Sequence, residues 1–125
     1  MEMRTADQDL WMILAIIQPF KLDSVTLALE GLPAFGGVTV SDCRGFGHGK
    51  QAAERAEPFS EAQVVDFKPK IRLDIAVAGS EAADRIIETI ARAAHTGRPG
   101  DGKIFAWPLR RAVRVRTLDE TGATL

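Results

Sequence analysis

Residues 11–17 form an unbroken apolar run, and Pro19 closes it. A run of that length, bounded by proline, predicts a strand. Residues 22–32 then place Leu22, Val25, Leu29 and Leu32 at helical spacing. Asp23 falls in the first turn, where a carboxylate suits the helix dipole, and Pro33 with Gly36-Gly37 stops the helix. Over 38–46, Thr39, Ser41 and Cys43 alternate with Val38 and Val40, which predicts a second strand rich in β-branched residues. Residues 47–62 break every periodicity. A loop of that length inside a compact domain is more often functional or disordered than idle.

The second half repeats the order. Val65, Phe67, Ile71, Leu73, Ile75 and Val77 alternate with Asp66, Lys68, Lys70, Arg72 and Asp74, predicting a long strand with one wet face. Pro69 interrupts it and belongs at an edge or a bulge. Gly79-Ser80 caps a helix whose apolar stripe is Ile86, Ile87, Ile90, Ala91 and Ala94, and Gly97 ends it. Residues 103–107 predict a short strand. Residues 112–117 predict another, with Val113 and Val115 on one face and Arg114 and Arg116 on the other. The order βαββαβ with antiparallel pairing predicts an α+β, ferredoxin-like sandwich. Two helices cover one sheet face. Val and Ile on the bare face then need a partner, so an oligomer is expected.

The chain has 125 residues, enough for one domain with one core. Residues 1–9 read as a loose tail and 10–125 as the domain. Sixteen basic against seventeen acidic side chains exclude a generally basic nucleic-acid binder. The single cysteine, Cys43, leaves no internal disulfide, and without a CxxC no structural zinc site is expected. The apolar run near the start is too short to span a bilayer and has no cleavage site behind it, so a cytoplasmic protein is expected.

Three stretches could carry chemistry. Gly97-Arg98-Pro99-Gly100-Asp101-Gly102-Lys103 fits GxxxxGK, but Ile104 supplies no Mg²⁺-binding hydroxyl, and the loop leaves a helix and enters a strand, the reverse of a P-loop. Its glycines with Arg98 and Lys103 still let backbone N–H groups and cations approach phosphates; a helix C-cap and turn is the equal alternative. Arg110-Arg111-Ala112-Val113-Arg114-Val115-Arg116 could hold an anion between two guanidinium forks, or pair with the many carboxylates. Gly45-Phe46-Gly47-His48-Gly49-Lys50 lets backbone approach a ligand closely; His48 there is either a ligand contact or a solvent-exposed loop residue. His95, near a helix C-terminus, reads as structural. No Ser/His/Asp set, carboxylate pair or HExxH is present, so no catalytic site is expected.

Six blocks together resemble the PII signal-transduction proteins: Ala15-Ile16-Ile17-Gln18-Pro19-Phe20-Lys21-Leu22-Asp23, Gly37-Val38-Thr39-Val40, Arg44-Gly45-Phe46-Gly47, Val65-Asp66-Phe67-Lys68-Pro69-Lys70, the stretch 96–105, and Arg114-Val115-Arg116-Thr117. The resemblance implies a non-enzymatic homotrimer that binds ADP or ATP, with Mg²⁺, in clefts between subunits. Its long mobile T-loop, here about 47–62, would dock on a protein target such as a membrane transporter or an enzyme. Carried over by position, the adenine pocket would involve Ile16, Asp74 and Ala76, with Thr39 from the neighbouring subunit. The stretches Gly37-Val38-Thr39 and Gly45-Phe46 would border the nucleotide. Phosphates would meet Gly47-His48-Gly49, Lys70, Gly100-Asp101-Gly102 and Lys103, with Arg114 and Arg116 across the interface. Lys103 is a point charge and the arginines are bidentate, which suits an anion of about −3 to −4.

Three departures change what the resemblance implies. The family's loop tyrosine, its uridylylation site, aligns near Gln63, and the chain has no tyrosine at all. The Arg-Gln pair that follows Gly-Phe-Gly is replaced by His48-Gly49. That glutamine helps hold Mg²⁺ and 2-oxoglutarate in the family, so the resemblance leaves the 2-oxoglutarate response open, with a bicarbonate- or metal-responsive regulator as the alternative reading. The loop is also about two residues longer, which implies a different target.

Overall fold

The computed structural model describes residues 9–47, 65–120 and 125. The elements are β1 (Leu10–Ile17), a 3₁₀ turn (Pro19–Lys21), α1 (Leu22–Glu30), β2 (Thr39–Gly45), β3 (Lys68–Ala78), α2 (Ser80–Ala94) and β4 (Gly102–Pro108). The sheet order is β2-β3-β1-β4, with every neighbouring pair antiparallel. That is the expected ferredoxin-like βαββαβ arrangement.

Alternation sets the two faces. Ile13, Ala15 and Ile17 of β1 and Ile71, Leu73, Ile75 and Val77 of β3 are buried under the helices. Val25 and Leu29 of α1 and Ala83, Ile86, Ile90 and Ala94 of α2 complete that core. Each fully buried Val, Leu or Ile contributes about 1.5–3 kcal/mol relative to exposure. The opposite face is open, as expected, but its composition differs. Besides Ile16, its large apolar side chains are Met12, Leu14, Phe105 and Trp107, with Phe105 half exposed.

The long strand β3 starts at Lys68, later than its alternation suggests. β2 ends at Gly45 opposite Lys68, so residues 65–67 have no strand beside them. Pro69 faces Arg44 on one side and lies beyond the last β1–β3 pair, Ile17 with Ile71, on the other. It therefore sits at a local edge, where its missing N–H costs no ladder bond.

The segment 112–117 is not a strand. Its backbone closes on itself: the Arg114 N–H donates to Asp119 O (3.0 Å), the Leu118 N–H donates to Arg114 O (2.7 Å), and Leu118 has φ +60°. Alternation encodes two faces but supplies no neighbouring strand, and among the described residues no strand pairs with it. Arg114 and Arg116 thus ride on an exposed turn rather than projecting side by side. Arg111, from the same basic run, donates Nε to Glu120 (2.7 Å), whose carboxylate is buried.

Of the expected tail, only Asp9 is described, and it is bound. Its carboxylate accepts the Trp11 indole N–H and the Ser80 backbone N–H, both at 2.7 Å, which caps α2. Most of the expected loop 47–62 lies outside the described residues, as do His48 and Gly49. Among the described residues, no helix is long and apolar enough to cross a membrane.

Candidate functional site

The registers bring the site together at one end of the open face. One row runs Ser41, Arg72, Ile16, Lys103 across the four strands; the next runs Thr39, Asp74, Leu14, Phe105. Ala76 pairs with Met12 one step further on. Ile16, Asp74, Ala76, Thr39 and Lys103 therefore share a face, with Lys70 at the edge of the same set. Thr39 lies opposite Asp74 in the register of one chain. Arg72 grips Asp74 with both Nε and Nη2 at 3.0 Å, and that bond raises the arginine's pKa.

The glycine loop between α2 and β4 is closed by two clasps, one within the loop and one from outside it. Asp101 is the first. One of its oxygens accepts the Thr96 and Gly97 backbone N–H groups at 2.7 and 2.8 Å, and the other accepts the Thr96 hydroxyl. These donors, the hydroxyl foremost, pull the Asp101 pKa down to about 2. His95 stands 4.0 Å away. The second clasp is the Gly100 carbonyl, which accepts from Gln18 Nε2 (2.8 Å) and Lys70 Nζ (2.7 Å). Gly102 has φ +120° and packs its α-carbon against the Ile16 carbonyl, leaving no room for a side chain. The loop is thus more than a helix cap: it is seated on the end of β1. A shallow groove beside it is lined by Ile16, Ala91, Ala94, Asp101, Gly102 and Lys103.

At the far end of β2, Phe46 and Phe67 stack with ring centroids 5.7 Å apart and tilted by 48°. Gly45 lies against the Lys70 stem, and Gly37 and Val38 lead into β2. Arg114 and Arg116 do not line the groove at Lys103. The sequence missed Gln18 as a site residue. Its strand parity places it on the Ile16 face, but nothing local marks a contact with Gly100, far along the chain.

The family described as "Nitrogen regulatory protein P-II" matches residues 10–119. The chain belongs to this P-II family. Nitrogen regulatory protein P-II of Azospirillum brasilense is 44% identical over 108 residues, covering 86% of this chain and 93% of the relative. Nitrogen regulatory protein GlnK of Escherichia coli K12 is 40% identical over 116 residues, covering 91% and 98%. A solved structure, Arabidopsis thaliana PII bound to citrate, superposes with a TM-score of 0.72 at 31% identity, covering 98% of this chain and 97% of that one. This P-II chain is accordingly a signal-transduction regulator of the nitrogen regulatory family and not an enzyme.

Proposed function

We propose that this P-II chain works in the cytoplasm as a homotrimeric sensor of ADP and ATP. Nucleotide binds beside the glycine loop, in clefts between subunits, and the segment 47–62 carries the signal to a protein target such as a membrane transporter. The observation that carries this reading is the loop itself. It is closed by Asp101 and Gly100 and seated on β1, and it places glycine backbone and the Lys103 ammonium next to the open face holding Ile16, Asp74 and Ala76. Backbone amides and an ammonium are the donors phosphates need. The apolar open face supports burial against further copies of the chain.

Among the described residues no group of carboxylate, histidine or cysteine side chains gathers to hold Mg²⁺, which would come with the phosphates of the nucleotide. Asp101, the carboxylate of the loop, spends its oxygens on Thr96 and Gly97 and does not suit a metal. Because Gly49 supplies no side-chain oxygen, 2-oxoglutarate binds weakly or not at all. The test is titration calorimetry with ADP, ATP, 2-oxoglutarate, bicarbonate and Zn²⁺. Micromolar ADP or ATP, weakened about ten- to a hundredfold by Lys103→Ala, supports the reading. Binding of bicarbonate or Zn²⁺ alone, with no nucleotide, replaces it.

A further inference from the structure

Gln18 occupies a fixed corner of the fold. β1 ends one residue before it, and the turn begun by Pro19 follows, with the Lys21 N–H donating to the Gln18 carbonyl at 3.0 Å. Its backbone is extended, φ −69° and ψ 139°. The last β1–β3 pair is Ile17 with Ile71, so one further step sets Gln18 across from Lys70. On the other side the last β1–β4 pair is Ile17 with Gly102, which brings the glycine loop over the same point. Both side chains reach one atom, the Gly100 carbonyl oxygen, at 2.8 and 2.7 Å. A carbonyl has two lone pairs, so both donors are accommodated at once.

We propose that Gln18 is a positioning residue of the glycine loop: its side-chain amide and the Lys70 ammonium form a double latch on the Gly100 carbonyl, and the amide alone keeps the loop closed when an anion draws Lys70 away. The two donors are chemically unlike. An ammonium on a flexible stem is a mobile point charge that an arriving phosphate or carboxylate attracts strongly. A neutral amide gains little from that anion and stays. The rest of the loop is fixed by Asp101 at one end and by Gly102 against Ile16 at the other. The Gly100 carbonyl is the corner between them, and Gln18 lets the cation leave without loosening it. The role of the anion rests on the nucleotide reading above; the latch itself does not.

The experiment uses the full chain as wild type, Gln18→Ala, Lys70→Ala, the double variant and Gln18→Lys. Amide hydrogen exchange at residues 96–103 is measured without nucleotide, followed by ADP titration. Each Ala variant alone should raise exchange modestly, and the double variant by more than the product of the two. Gln18→Lys restores a donor and should restore protection. In the titration, adding Gln18→Ala to Lys70→Ala should weaken ADP by a further two- to tenfold or so. If the double variant exchanges no faster than Lys70→Ala, Gln18 holds nothing and the proposal is overturned. If the double variant does not fold, Gln18→Glu decides, because a carboxylate cannot donate to Gly100; unchanged exchange then also overturns it. If exchange behaves as expected but wild type binds no ADP, the latch stands and the nucleotide reading fails.

Discussion

Replacing Gly102 by alanine tests the seating of the glycine loop on β1. The new Cβ would overlap the Ile16 carbonyl oxygen and lie 2.9 Å from its carbon and 3.3 Å from the Ile17 α-carbon. These are backbone atoms of a central strand and cannot swing aside. Residue 102 also has φ +120°, which a side chain strains by about 1–3 kcal/mol. Forcing the strands apart adds an overpacking cost of about 1–3 kcal/mol, and losing the Ile17–Gly102 pairing adds about 0.5–1.5 kcal/mol. The total is on the order of 2.5–7.5 kcal/mol, a large part of the roughly 5–15 kcal/mol that holds a domain folded. For a chain of this size the melting temperature should fall by at least about 10 °C. Two controls separate the causes. Gly37 has φ +146° but nothing within 4 Å, so Gly37→Ala shows the backbone cost alone. Gly31 has φ −73°, so Gly31→Ala should be neutral or slightly stabilising. Thermal unfolding followed by circular dichroism gives the order Gly31→Ala, Gly37→Ala, Gly102→Ala from most to least stable. A Gly102→Ala protein melting within a few degrees of wild type, or above Gly37→Ala, would refute the β1–β4 register.

The Asp101 pKa lies near 2 in the folded chain against an ordinary 3.8, so this carboxylate favours folding above about pH 4, and the contribution disappears as pH falls through 2. Urea midpoints between those values should therefore fall less steeply for Asp101→Asn than for wild type. Ile90 is fully buried, so Ile90→Ala should cost about 2–5 kcal/mol, read as a lower urea midpoint at unchanged slope. Phe105→Glu puts a charge on the open face, and light scattering should show monomers with unaltered circular dichroism; a stable trimer would take that face out of the interface.

The strands and helices were legible because each has a period and a stop. Pro19, Pro33 and Gly79 lie within three residues of where the structure ends β1, α1 and β3. What failed was partner-dependent. The alternation at Val113–Arg116 is as regular as that of β3, yet only β3 has strands on both sides. The extra residues 65–67 were lost for the same reason. In the site, the glycine spacing and Lys103 were readable as an anion-friendly loop, since they sit together in sequence. Gln18 and Lys70 were not readable as its latch, because strand register, and nothing local, sets them beside Gly100. Nor does the sequence show that the Asp101 carboxylate turns inward to the Thr96 and Gly97 backbone, a contact that leaves its own backbone N–H out of account.

The ring contact between Phe46 and Phe67 lies just outside the last β2–β3 pair, Gly45 with Lys68. The chain on either side of residues 48–64 is thus tethered by groups that do not belong to that segment. Closing a longer connection between ends already held costs little, about 0.6 kcal/mol for each doubling of length. Under the proposed reading, the part of the molecule that chooses the target can change in length and sequence while the sheet and the glycine loop remain as they are. Descendants of one such chain can then acquire new targets by substitution and insertion in this segment, without first acquiring stability to spare.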